Sequence, residues 1–190
     1  FLACQIGAGH VYAVEPDSAI QVAREIAAAN GFAEQITFIQ DLSTRVSLPQ
    51  PADVIVADLR GVLPLFQQHI PSLMDARSRL LKPDGVLIPQ RDTLYAAVVS
   101  APKPYADVTK AWDSGLYGLN LDAARQITIN TWTKARIPPE QILCPPQVWA
   151  VLDYTTVEQP DVRGSLRWTA NMDGLAHGLS VWFDAELVPG

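Results

Sequence analysis

The chain has 190 residues, 48% of them hydrophobic and 18% charged, enough apolar mass to bury a core in one domain or slightly more. A net charge of −6 argues against a general nucleic-acid binder, and no apolar run approaches the roughly eighteen residues that span a bilayer, so neither nucleic acid nor membrane is expected as a partner. Cys4 and Cys144 lie far apart and match no metal or redox spacing, so no metal is expected and a reduced cytosolic setting is the default.

The first stretch, FLACQIGAGHVY, carries Phe1 where an initiating methionine would stand. Phe1 to Ile6 reads as the last turns of a helix closed by Gly7, which implies that an upstream piece is missing. Val11 to Glu15 is an apolar strand that ends on a carboxylate. A helix is expected at once, with Asp17 as its N-cap and Ile20, Ala23, Ile26 and Ala27 on one face, until Asn30-Gly31 ends it. ITFIQD (Ile36 to Asp41) and ADVIVAD (Ala52 to Asp58) are a second and third strand, each again ending in an acid. A helix from about Leu65 to Leu81 buries Leu73, Ala76, Leu80 and Leu81. KPDGVLIP (Lys82 to Pro89) is a turn and a short strand. Nearly continuous apolar strands alternating with helices predict a parallel sheet covered on both faces.

After Pro89 the character changes. TLYAAVVS, QITINTW, QVWAVLDYTTV, GSLRWTAN and LAHGLSVWFDAELV are rich in β-branched and aromatic residues and predict antiparallel strands in a sandwich or barrel. Ala101 to Gln126 is a long excursion with some helical character. The expected boundary lies near Pro89, dividing 1–89 from 90–190.

In parallel sheets ligands sit beyond the carboxyl ends of the strands, and Glu15, Asp41 and Asp58 all fall on that rim. A charged carboxylate there accepts hydrogen bonds from both hydroxyls of a ribose, the role read for Glu15. Asp41 is placed to accept from an adenine amine, with Leu42 packing on the base. Asp58 lies where a reacting substrate would. A solvated strand end explains each acid singly; three in order at successive strand ends are more specific. Dinucleotide dehydrogenases and S-adenosylmethionine-dependent methyltransferases both use this layout, and the Gly-rich loop that tells them apart would lie upstream of Phe1.

GAGHVYAVEPD, NGFAEQITFIQD, LPQPADVIVADLRG, DARSRLLKPDGVLIPQRDTLYA, YGLNL and LAHGLSVWFDAEL resemble, in order and spacing, the protein arginine methyltransferase family. The resemblance covers essentially the whole chain. It implies an α/β fold: a partial Rossmann-like methyltransferase domain, lacking its first strand and Gly-rich loop, then an antiparallel β-barrel-like domain. It implies S-adenosyl-L-methionine as cofactor. Glu15 matches the ribose-binding glutamate, and Asp41, Leu42 and Ser43 match the segment framing the adenine. Ala57 to Gln67 matches the loop that carries two glutamates gripping a substrate guanidinium. Here Asp58 and Gln67 stand in their places, so the catalytic candidates supply about half the usual charge. The acceptor is therefore left open between a protein arginine and a small molecule. The stretch from about 110 to 125 looks like the family's dimerisation arm, and Trp112, Leu116, Tyr117 and Leu119 suit the core of a homodimer interface. His177 is expected to be an ordinary strand or turn histidine. Two further readings stay open: a non-catalytic dimeric relative, and a nicotinamide-dependent oxidoreductase.

Overall fold

The computed structural model describes residues 1–113, 115–170 and 173–188, with Leu116 described by its backbone alone. The chain forms two compact units. The first contains Phe1–Gln90 together with Tyr154–Pro160 and the chain from Leu187 on; the second contains Arg91–Asp153 and Asp161–Glu186.

The first unit opens with α1 (Leu2–Gln5). Gly7, at φ +103°, ends it: the Gly7 N–H bonds to Cys4 O and the Ala8 N–H to Ala3 O, the paired bonds of a Schellman cap. Strand β1 (Val11–Val14) pairs in parallel with β2 (Ile36–Ile39), joined by α2 (Ile20–Ala29). Cys4, Ala27 and Ile36 form a core cluster against which Val11, Ala13, Phe32 and Phe38 pack. The start of α2 differs from the expectation. Glu15 Oε1 accepts the Asp17 N–H and Asp17 Oδ1 accepts the Ala19 N–H, each at 2.8 Å, so residues 15–19 form a polar turn before the helix begins. Ile20 and Ala27 are buried and Ala23 half-buried, but Ile26 is exposed.

Strand β3 (Ala52–Val56) pairs in parallel with β4 (Leu81–Ile88). The register slips between Ala52 and Val54, because the KPDG turn bulges out of β4 while Leu81 and Val86 stay paired. Between them lies α3 (His69–Arg79), which starts four residues later than the periodicity predicts. The cause is Pro71. A helical proline clashes with the carbonyl four residues earlier, that of Gln67, so the helix cannot run back through that position. Gln67 instead takes φ +50°, a left-handed conformation costing a non-glycine residue about 1–2 kcal/mol. Leu73, Ala76 and Leu80 are buried as expected; Leu81 is half-buried and opens β4.

The second unit holds an antiparallel sheet of β5 (Arg91–Val99), β6 (Gln147–Asp153) and β7 (Gly178–Glu186), in the order β6-β5-β7. Tyr95 and Trp182, opposite each other in β5 and β7, stack at 5.7 Å. Ala97, Val99 and Ala101 form a core cluster with Ile137, Ile142 and Trp182 packed on it. Two expected strands are absent. QITINTW is not a strand: Gln126 to Ile129 end α5 (Asp122–Ile129), where Thr128 Oγ1 and Thr131 Oγ1 donate to the carbonyls of Ala124 and Ile127. Those hydroxyl bonds to the preceding turn let β-branched residues sit in a helix. The described residues of GSLRWTAN are irregular, anchored where Trp168 Nε1 donates to Pro145 O; Asn171 lies outside the described residues. The excursion is α4 (Pro102–Asp113), a 3-10 turn at Leu116–Gly118, and α5. It is fastened by Arg125, which bonds Asp113 Oδ1 at 2.6 Å and Tyr105 Oη at 2.7 Å. No helix among the described residues is long and apolar enough to cross a membrane.

Candidate functional site

Glu15 directly follows β1. Its N–H continues the ladder to Ile39 O at 3.1 Å, so the strand register fixes its backbone, and its side chain is exposed. One oxygen is committed to the Asp17 N–H. A carboxylate has about four acceptor sites, so capacity remains for a pair of hydroxyls.

Asp41 follows β2 by two residues. Its Oδ1 accepts the Leu42 N–H at 2.7 Å and lies 3.8 Å from Arg45 Nη1. Leu42 is 44% exposed, an apolar surface beside the acid. Ser43 opens a 3-10 turn (Ser43–Arg45), and α3 holds that turn from behind. Arg79 donates to Ser43 O at 3.1 Å and Val46 O at 2.9 Å while bonding Asp75 through both carboxylate oxygens. The Asp75 carboxylate raises the Arg79 pKa, so the clamp stays charged.

Asp58 lies just beyond β3, and its Oδ1 accepts from Arg60 Nε at 3.1 Å. The same turn leads through Gln67 to His69 at the head of α3. His69 is 1% exposed; its Nε2 is 3.0 Å from Tyr154 Oη and its Nδ1 has no partner. Burial first, and the Arg60 charge second, lower the His69 pKa to about 4, with Asp58 opposing both. The imidazole is therefore neutral at neutral pH. Tyr154 is fully buried, with its ring edge-on to His69 at 5.1 Å, and Arg77 of α3 donates to the carbonyls of Tyr154 and Val157 at 2.7 Å each.

Glu15, Asp41 and Asp58 thus follow the carboxyl ends of three parallel-paired strands, each held by local contacts. Sequence reasoning missed Arg60, His69, Arg77, Arg79 and Tyr154. Arg79 had a signal, the i,i+4 spacing to Asp75; Tyr154 had none, since His69 lies 85 residues away. His177 accepts the Ala101 N–H at Nδ1 and sets its ring edge-on to Tyr105, a structural use at the foot of the arm. Among the described residues no group of three or more His, Cys, Asp or Glu side chains is placed to hold a metal ion.

Residues 90–190 match the family model of the arginine methyltransferase oligomerization subdomain. That match covers more than half of the chain, which belongs to the arginine methyltransferase family. Protein arginine N-methyltransferase 2 of Mus musculus is 34% identical over 181 residues, covering 91% of this chain and 40% of the relative. The probable protein arginine N-methyltransferase 6 of Arabidopsis thaliana is 30% identical over 189 residues, covering 96% of this chain and 43% of the relative. The chain thus spans less than half the length of these relatives. Among solved structures, the Trypanosoma brucei PRMT1 enzyme-prozyme heterotetrameric complex with AdoHcy superposes with a TM-score of 0.76 at 22% identity, over 83% of this chain and 49% of that one. Arabidopsis thaliana protein arginine methyltransferase 10 superposes at 0.69 and 24% identity, over 82% of this chain and 50% of that one. These two likenesses are of fold.

Proposed function

We propose that the protein carrying this chain is an S-adenosylmethionine-dependent methyltransferase, with the first unit as a Rossmann-like cofactor domain and the second as a barrel-like substrate and dimerisation domain. The observation that carries the reading is the succession of Glu15, Asp41 and Asp58 at the ends of β1, β2 and β3, in a chain of the arginine methyltransferase family. The AdoHcy in the Trypanosoma brucei complex supports the choice of cofactor.

The residues present fit the cofactor. Glu15 has acceptor capacity for the ribose hydroxyls. Asp41 and the exposed face of Leu42 suit an adenine edge and face, and Ser43 extends that segment under the Arg79 clamp. When bound, the cofactor supplies a methyl group activated on a sulfonium. What the chain supplies is proximity and orientation, the main needs of an in-line displacement. Asp58 and Gln67 face the acceptor: Asp58 orients it or takes its proton, and Gln67 offers a neutral amide. A protein arginine or a small molecule is the acceptor class, and the missing second carboxylate weakens the case for efficient arginine methylation.

Calorimetry on the full-length protein tests the reading. S-adenosylhomocysteine is expected to bind and NAD not to; the reverse result overturns the proposal. Glu15→Ala is expected to weaken S-adenosylhomocysteine by about 1.5–3 kcal/mol, roughly ten- to hundredfold in Kd, as for a charge-assisted hydrogen-bonding group.

The oligomer is proposed to be a homodimer built on the arm from about 110 to 125. Tyr117, at φ +58°, is 89% exposed, Leu119 is also exposed, and Trp112 is at the margin of exposure. The side chain of Leu116, expected on the same surface, lies outside the described residues. Such apolar side chains on a fastened helical arm suit an interface core. In sedimentation the wild type is expected to be a dimer and a Trp112→Ala, Tyr117→Ala variant to dissociate at tenfold or more higher concentration. A folded wild type that stays monomeric at high concentration rules the interface out.

A further inference from the structure

The turn from Asp58 to Gln67 contains no helix or strand, and its own backbone closes it. Leu63 O accepts the Phe66 N–H at 3.1 Å, and Phe66 O accepts the His69 N–H at 3.2 Å. Gly61, at φ +60°, lies so near the Phe66 ring that a Cβ there would meet Cδ1 at 3.3 Å. Pro71 has no N–H to give the Gln67 carbonyl, so the ladder of α3 does not reach into the turn. The left-handed conformation of Gln67 persists only where the surroundings enforce it. His69 is where they do, since its N–H closes the turn and its ring is buried against Tyr154. Of the two imidazole nitrogens Nε2 has a partner, Tyr154 Oη at 3.0 Å, and Nδ1 has none. Tyr154 is a fixed reference: its N–H bonds Gln90 O at 2.8 Å, its carbonyl accepts from Arg77 at 2.7 Å, and its ring is fully buried.

We propose that Tyr154 is a positioning residue of the acceptor site: its hydroxyl keeps the His69 ring inside the first unit, and His69 thereby holds the turn in the shape that presents Asp58 and Gln67. This deepens the methyltransferase reading and rests on it for the role of the turn. Without the hydroxyl both ring nitrogens are buried and unpaired, and the imidazole gains by moving toward water. The body of α3 cannot follow it. Arg77 ties that helix to the carbonyls of Tyr154 and Val157, and Arg79 ties it to those of Ser43 and Val46. The turn yields instead, and Gln67 leaves its left-handed conformation. Glu15 and Asp41 keep their own local contacts, so the cofactor side is spared.

The test is the spectrum of a nitroxide on Leu59→Cys of the full-length protein, in a background whose other reactive thiols are replaced. Leu59 is exposed in the turn, while Cys4 and Cys144 are buried. A folded protein that is merely less stable keeps its spectrum, so the label reads the position of the turn. Tyr154→Phe is expected to shorten the label's correlation time about threefold or more. A label on Val22→Cys, exposed on α2, is expected to stay unchanged. Adding His69→Leu removes the stranded imidazole and is expected to restore most of the wild-type spectrum. An unmoved label at Leu59→Cys, an equal change at Val22→Cys, or a change that persists with His69→Leu overturns the proposal. Trimethylamine N-oxide keeps Tyr154→Phe folded should it be marginal. S-adenosylhomocysteine is titrated on the same proteins, and Tyr154→Phe is expected to bind it within about twofold of wild type. A loss of about tenfold there places the effect outside the acceptor turn and overturns the proposal. Failure of wild type to bind it counts against the methyltransferase reading, while the label still decides whether Tyr154 sets the turn.

Discussion

Tyr154→Ala is expected to lower the stability of the first unit by about 3–5 kcal/mol, the range for emptying a fully buried aromatic site. Tyr154 has no exposed surface, and its ring packs edge-on against His69. Its hydroxyl is the partner of His69 Nε2, and the other ring nitrogen already has none. Truncation therefore opens a cavity and leaves a buried imidazole wholly unpaired. Tyr154→Phe keeps the ring and removes the hydroxyl, so about 1–3 kcal/mol is expected. Urea unfolding followed by hydrogen exchange at the α3 amides reads the first unit separately from the second, which need not unfold with it. A cost below about 1 kcal/mol for the alanine variant would show that α3 does not depend on the returning segment.

The second large effect is on acid stability. His69 titrates near pH 4 in the folded chain and near 6.5 when unfolded. Its folded pKa is depressed, so between those values the unfolded state holds more protons and stability falls as pH falls. The stabilisation is intact above about pH 6.5 and lost progressively toward pH 4, with a limiting slope of about 1.4 kcal/mol per pH unit and roughly 3 kcal/mol in all. The cause is first burial and then the Arg60 charge. His69→Gln, which cannot titrate, is expected to flatten the dependence in this window. An equally steep profile in the variant would assign the acid sensitivity to other groups.

Some of this architecture is written in local signals. Gly7 and Gly31 announce helix ends because a left-handed residue is needed there and the chain supplies glycine. The strand-end acids stand out because each follows an apolar run. The start of α3 was misjudged because the effect of Pro71 is felt four residues back, at Gln67, where the hydrophobic period continues undisturbed. QITINTW was misjudged by composition. Its helix is accompanied by Asn120 Oδ1 accepting the Asp122 N–H ahead of it, by the Thr128 hydroxyl within it, by the Thr131 hydroxyl bonding back from just beyond it and by packing on α4. The pairing of Asp58 with Arg60 was hidden for another reason. A residue two positions on is visible in sequence, but that its side chain is only 15% exposed depends on tertiary packing.

The turn that carries Asp58 and Gln67 has one further consequence. Pro64 is buried within it, Pro71 stands just beyond it, and Gln67 is held in a conformation that a free chain seldom adopts. Much of its backbone entropy is therefore surrendered when the first unit folds, not when an acceptor arrives. If the turn holds the acceptor as proposed, an acceptor of the right shape loses little affinity to ordering it. One of the wrong shape gets no help from it, because a rigid mould cannot adapt. On the proposed reading of this turn as the acceptor site, selectivity would come from its stiffness as well as from its charges, and acceptors that differ by a single methylene should be told apart more sharply than a flexible loop would allow.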